Sequence, residues 1–241
     1  MLLYFIRHGD PIYHPDSLTP LGEKQAETLS KRLTLHGLDR IFASSSNRAK
    51  QTAEPTAKLL NLPIEILDWA NEGYAWRELT LKNEKGNPRE WCFDDPEFSR
   101  FMNSEEVRIL GDEWYKHPAL SQFEAGYRRI ADATDSFLET LGYEHDRKTR
   151  TYRQVRPNHD RVAFFAHGGT GIAFLSHLLD QPFPSFTTHF GISHSTMTVI
   201  AFGEFGEEEG EMILPRILQF GNDSHLYKEG IPTKFCNHFE I

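Results

Sequence analysis

Long hydrophobic runs are missing from this chain of 241 residues, and none approaches the roughly 18 to 20 apolar residues that a membrane helix requires. A helical membrane span is excluded. Cysteine is scarce as well. Cys92 and Cys236 allow at most one bridge and show no C-x-x-C spacing, so neither a disulfide framework nor a thiolate zinc site is expected. Positive charge is in deficit: 26 Lys and Arg against 35 Asp and Glu leave a net charge of -9. Nonspecific nucleic-acid binding, which needs an excess of cations to displace counterions, is excluded with it. Low-complexity tracts are absent, and 39% hydrophobic residues are enough for a sizeable core, so the chain reads as folded. The apolar start Met1 to Ile6 is cut off by Arg7 and His8, too short for the core of a signal peptide. The expected location is cytoplasmic.

The charge is unevenly spread. Residues 1–60 carry eight basic against six acidic side chains, so the acidic excess lies further on and a local basic cleft for an anionic small molecule remains open. Leu2 to Ile6 has the composition of a strand buried on both faces. Thr19-Pro20 then reads as a helix cap with proline at the first helical position, and Leu21, Ala26, Leu29 and Leu33 approximate one helical face until Gly37. Arg40 to Ala43 is the next strand. A second helix follows from Ser45 or Ser46, with a kink expected at Pro55, and Ile64 to Leu67 is a third strand. Strand, helix, strand, helix, strand is the signature of a mostly parallel sheet with helices on both faces, an α/β three-layer sandwich.

Residues 69–118 break that rhythm. All four tryptophans (Trp69, Trp76, Trp91, Trp114) fall there, together with Phe93, Phe98 and Phe101. The segment reads as an insertion into a single domain spanning 1–241. It serves as a small satellite core or as a substrate lid, two compatible roles. A helical pattern resumes from Ser121 to Leu141, the polar stretch Gly142 to His159 reads as loop or helix end, and Arg161 to Ala166 is another buried strand. Thr170 to Leu179 is a helix, while Ser195 to Phe202 and Met212 to Phe220 resemble a hairpin.

Four polar motifs each sit at a strand's carboxyl end or the start of the next helix, where open α/β sheets place ligands. They are Arg7-His8-Gly9; the run from Leu18 to Ala26 containing Thr19-Pro20-Leu21-Gly22; the run from Ser44 to Ala53 containing Arg48; and Ala166-His167-Gly168-Gly169. In this order they resemble the histidine phosphatase superfamily, the group that includes cofactor-dependent phosphoglycerate mutases and many small-molecule phosphatases. The resemblance is close over residues 1–75 and 160–180 and weaker from Ser193 to Leu226, and residues 76–130 fit no pattern.

The resemblance implies that His8 is the nucleophile and becomes phosphohistidine, splitting one difficult transfer into two easier ones. It implies that Arg7 and Arg48 clamp the phosphoryl oxygens, that His167 donates to them, and that Gly168 lets the backbone come close. Two fixed cations beside His8 would keep its imidazole neutral. A glutamate shortly after the third strand supplies the proton for the leaving alcohol. Asp68, Glu72, Glu78 and Glu84 lie in range, and Asn71-Glu72-Gly73-Tyr74 fits best. His14 stands where the mutases carry a phosphate-touching asparagine, which makes it a further substrate-binding candidate.

His177, His189, His194, His225 and His238 invite a metal reading, but no His-Glu-x-x-His or carboxylate-rich spacing accompanies them, so neither metal nor cofactor is expected. The expected partner is a small phosphorylated substrate, with no nucleic acid and no membrane. The leading reading is a metal-independent phosphomonoesterase. A phosphoglycerate-type mutase is the alternative, although Gly9-Asp10-Pro11 and His167-Gly168-Gly169-Thr170 lack the mutase marks. A phospholigand-binding module that does no chemistry is the other.

Overall fold

The computed structural model describes residues 1–203 and 208–233. Its first strand, β1 (Leu2–Arg7), is buried on both sides: Leu3 and Phe5 enter one core and Leu2, Tyr4 and Ile6 the other, as the twofold side-chain period of a strand demands. The loop that follows pairs β2 (Pro11–Ile12) with β3 (Ser17–Leu18). It feeds α1 (Pro20–Leu33), which starts where Thr19 Oγ1 accepts from Gly22 N and Pro20 occupies the first turn. Next comes β4 (Arg40–Ser44). α2 (Asn47–Leu60) is capped by Ser46, whose Oγ accepts from Ala49 N, an interaction typically worth about 1 kcal/mol. α2 runs on past Pro55 and ends at Asn61 in the left-handed conformation; β5 (Ile64–Leu67) follows.

The excursion is a chain of short pieces. A 3₁₀ turn (Asp68–Ala70) precedes α3 (Glu72–Glu78), the hairpin of β6 (Thr80–Lys82) and β7 (Pro88–Trp91), α4 (Pro96–Met102) and α5 (Glu105–Arg108). It builds no satellite core. Trp114 and Phe123 are buried in the same cluster as Leu3 and Phe5, with Trp69, Trp91, Phe93, Phe98 and Phe101 packed against it.

α6 (Glu124–Thr140) then leads into β8 (Tyr143–Asp146) and β9 (Thr151–Gln154), an antiparallel hairpin where the polar sequence suggested loop or helix end. Tyr143, Tyr152 and Gln154 turn inward while charged neighbours face out, and those charges hid the strand period. β10 (Arg161–Ala166), α7 (Gly168–Leu178), α8 (Phe183–His189) and β11 (Met197–Ala201) complete the central part. The expected closing hairpin is split. β12 (Met212–Ile213) pairs with β9, and only β13 (Arg216–Asn222) pairs with β11. The connection between β11 and β12 lies partly outside the described residues. α9 (Ser224–Lys228) follows β13.

The main sheet has the order β13-β11-β1-β10-β4-β5. β1, β10, β4 and β5 run parallel; on one side β11 joins β1 antiparallel, and β13 joins β11 antiparallel and so runs in the direction of β1. One face is covered by α1 and α2, through Leu29, Leu33, Ala53 and Ala57; α6 and α7 cover the other, through Ile130, Phe137 and Phe174. The carboxyl ends of the four parallel strands therefore open on one edge, the crevice where α/β sheets hold ligands. Among the described residues no helix is long and apolar enough to cross a membrane.

Candidate active site

His8 lies one residue past the end of β1 and is fully buried. Its Nδ1 is 2.7 Å from Gly9 O, a carbonyl that only accepts, so the proton sits on Nδ1 and the lone pair a nucleophile needs is on Nε2. Arg48 Nε donates to that Nε2 across 3.2 Å. Burial first, then the charges of His167, Arg7 and Arg48, hold the imidazole well below its ordinary value. His8 is therefore neutral near pH 7.

Arg48 stands in the first turn of α2. Its Nη1 donates to Asp16 Oδ1 at 2.7 Å and its Nη2 to Glu72 Oε2 at 3.3 Å, so the guanidinium is gripped from three sides. Asp16 also accepts from Asn47 N at 2.7 Å, which ties the loop between β2 and β3 to the start of α2. Arg7 closes the opposite wall. Its Nη1 donates to Ile192 O and its Nη2 to His194 Nε2 at 2.8 Å. Gly168 leaves room for it, since a Cβ there would stand 3.1 Å from Arg7 Cζ.

His167 caps α7 with its ring edge-on to His8, centroids 5.2 Å apart. Its Nε2 lies 2.8 Å from Ser44 Oγ and 3.3 Å from Ser46 Oγ. Its buried Nδ1 has no hydrogen-bond partner among the described residues and lies 3.7 Å from Glu72 Oε2. In the tautomer in which Ser44 Oγ donates to Nε2, Nδ1 carries the proton and is a donor for the pocket. Burial, followed by Arg48 and Arg7, holds this imidazole low as well.

The structure separates the four acids of the first excursion. Glu72 opens α3; its Oε1 accepts from Gly169 N at the start of α7 at 2.9 Å while Oε2 faces Arg48 and His167. Asp68 is engaged by Ser45 and Tyr74, and Glu78 pairs with Arg129. Glu84 is exposed in the β6–β7 turn. Only Glu72 reaches the two histidines and Arg48. Trp91 rests against Gly169, where a Cβ would come within 2.4 Å of the indole, and meets Trp76 edge-on at 5.1 Å.

The pocket thus gathers Arg7, His8, Arg48, Glu72, His167 and Gly168. It does not gather His14, which is exposed and forms no hydrogen bond with these groups; its neighbours Tyr13, 5.4 Å over Arg48, and Asp16 make the contacts instead. Among the described residues, the other histidines apart from His194 lie elsewhere, and His177 shares Asp135 with His145. His177 pairs with Asp135, His189 with Ser185 O, and His225 with Ser195 Oγ, while His238 and Cys236 lie outside the described residues. His194 reaches the pocket, as do Asp16 and Ser44. Sequence reading assigned none of the three a role there.

Residues 3–212 match the family model described as the histidine phosphatase superfamily, branch 1. The adenosylcobalamin/alpha-ribazole phosphatase of Salmonella typhimurium is 33% identical over 110 residues, which is 39% of this chain and 54% of that protein. The chain spans about half the length of this curated relative. Two solved structures share the fold. A phosphoserine phosphatase variant from Entamoeba histolytica superposes with a TM-score of 0.58 at 16% identity, covering 93% of this chain and 98% of its own. The alpha-ribazole phosphatase of Shigella flexneri gives 0.55 at 18%, covering 90% and 96%.

Proposed function

The chain belongs to the histidine phosphatase superfamily, and from that premise we propose that it is a phosphomonoester hydrolase acting on a small phosphorylated metabolite through a phosphohistidine at His8. One observation carries the reading: a buried imidazole, kept neutral by burial and by nearby charges that include Arg7 and Arg48, has its Nε2 against Arg48 Nε, and the Glu72 carboxyl group reaches both Arg48 and His167.

Attack of His8 Nε2 on phosphorus forms the N–P bond as the ester P–O bond breaks. Glu72, in its protonated form, supplies the proton to the departing alkoxide, and as carboxylate it then takes one from the water that hydrolyses the phosphohistidine. Arg7 and Arg48 supply the positive charge that meets the transferring group, and His167 adds a hydrogen bond to its oxygens. The reading routes no step through a metal. Glu72 is positioned by the Gly169 N–H and by Arg48, and the same Arg48 at the start of α2 contacts His8, so acid and nucleophile share one helix start.

Residues 69–118 form part of the same single domain in this reading and set which alcohol is accepted, because Trp91 and Trp76 lie beside the helix start that holds Glu72. The buried thiol of Cys92, unbridged among the described residues, suits a reducing compartment such as the cytoplasm. The test is a screen of phosphorylated metabolites with purified protein, including 3-phosphoglycerate with and without its bisphosphate. Release of inorganic phosphate supports the proposal. Phosphate transfer between phosphoglycerates without net release would assign the mutase reaction instead, and binding without turnover would leave a ligand-binding module.

A further inference from the structure

We propose that His194 is a positioning residue for Arg7, accepting one of its guanidinium N–H groups and so fixing the direction in which the remaining donors meet phosphate. This rests on the phosphatase reading above.

The segment carrying His194 is wrapped around the end of β1. Arg7 N donates to Thr196 O, Ser195 N donates to both Arg7 O and His8 O at 3.1 and 3.0 Å, and Arg7 Nη1 donates to Ile192 O. Ser195 achieves this in the left-handed region, φ 61°, a conformation rare for a residue with a side chain, and its Oγ is 3.2 Å from His225 Nε2 on α9. The backbone of the nucleophile and of its neighbouring arginine is thus held by a strand-end turn far away in sequence. His194 adds the side-chain part of the grip.

An arginine only donates, so the 2.8 Å contact from Arg7 Nη2 requires a lone pair on His194 Nε2. His194 is therefore neutral, with its proton on Nδ1. That atom faces Asp10, 3.9 Å from Oδ1, and Asp10 Oδ2 accepts from Thr19 Oγ1 at 2.7 Å. Thr19 is the cap of α1. A chain of contacts therefore runs from the first helix start through Asp10 and His194 to Arg7.

Among the described residues, the charged and titratable groups seen to face His194 are Arg7, His8, whose ring lies 5.3 Å away, and Asp10. A protonated His194 would turn an N–H toward the guanidinium and lose the acceptor that orients it. Mere packing would be served by any apolar side chain of this size. Orientation needs an acceptor at the Nε2 position, and glutamine can place its carbonyl oxygen there.

His194→Leu and His194→Gln separate these roles. Turnover of p-nitrophenyl phosphate, inhibition by orthovanadate as a transition-state analogue, and Tm are measured for both variants beside the wild type. His194→Leu is expected to keep Tm near that of the wild type while kcat falls about 10²-fold, the scale of a misdirected catalytic group, with a matching loss of vanadate affinity. His194→Gln is expected to recover most of both. Wild-type turnover and vanadate affinity in a folded Leu variant would overturn the proposal, as would a folded Gln variant that falls as far as Leu. If His194→Leu does not fold, the folded Gln variant decides: activity near that of the wild type supports the role and a 10²-fold loss contradicts it. Failure of the parent reading would look different, because the wild type itself would then show no turnover.

Discussion

Arg48 Nε donates to His8 Nε2 across 3.2 Å, so the arginine that would clamp the phosphoryl group already touches the atom that would attack it. Asp16 and Glu72 hold the other two corners of the same guanidinium, which keeps it in place before a substrate enters. Arg48→Ala should therefore lower kcat about 10²- to 10³-fold, the usual loss when a charged donor aimed at developing charge is removed. A near-normal kcat in the folded variant would take Arg48 out of the phosphate pocket.

Glu72 tests the proton transfer. An alkoxide leaves phosphorus poorly without an acid, whereas p-nitrophenolate departs with little protonation. Glu72→Gln should slow esters of ordinary alcohols strongly and p-nitrophenyl phosphate much less. Equal losses on both, or a larger selective loss in Glu78→Gln, would move the role away from Glu72; the Glu78–Arg129 pair predicts that Glu78→Gln affects Tm instead.

Away from the pocket, His145 is held between Asp135 and Asp180, its Nδ1 2.9 Å from one carboxylate and its Nε2 3.2 Å from the other. Burial alone would lower its pKa, but hydrogen bonds to the two carboxylates outweigh it and push the value up to about 9. A raised folded-state value means that the stabilisation is complete below the unfolded imidazole value of roughly 6.5 and is lost as pH rises through about 9. Tm of the wild type should fall over that window more steeply than Tm of His145→Gln. Parallel curves would show that the imidazolium contributes nothing.

Trp91 lies on Gly169, the residue whose N–H holds Glu72, and Trp76 meets Trp91 edge-on. If this pair sets specificity, Trp91→Ala and Trp76→Ala should change kcat/KM unequally across a panel of phosphomonoesters. A uniform change would make both packing residues only.

What the sequence makes legible is what lies close together along the chain. Arg7-His8-Gly9, the helix start around Arg48 and His167-Gly168 each announce a strand end followed by polar groups, and the structure brings them to one crevice. Asn71-Glu72-Gly73-Tyr74 is legible through the family resemblance, which implies a glutamate shortly after the third strand; the structure adds that Asn71 caps the helix that Glu72 opens. His194 was not, because its place beside Arg7 depends on β11 lying next to β1, a long-range pairing that no local pattern states. His14, offered by the resemblance as a substrate contact, is exposed on a loop from which Tyr13 and Asp16 meet Arg48. Residues 76–130 stayed unreadable because much of that stretch consists of helices and strands of three to seven residues, too short for a period to show, held by aromatic contacts to the main core.

The covalent step is the central claim, and trapping it tests the account most directly. Wild-type protein mixed with a rapidly cleaved phosphomonoester and quenched in alkali, where phosphohistidine survives, should carry one phosphoryl group on the peptide containing His8. The label should disappear in acid and be absent from His8→Ala. A phosphoryl group found on another residue, or full turnover by His8→Ala, would contradict the mechanism.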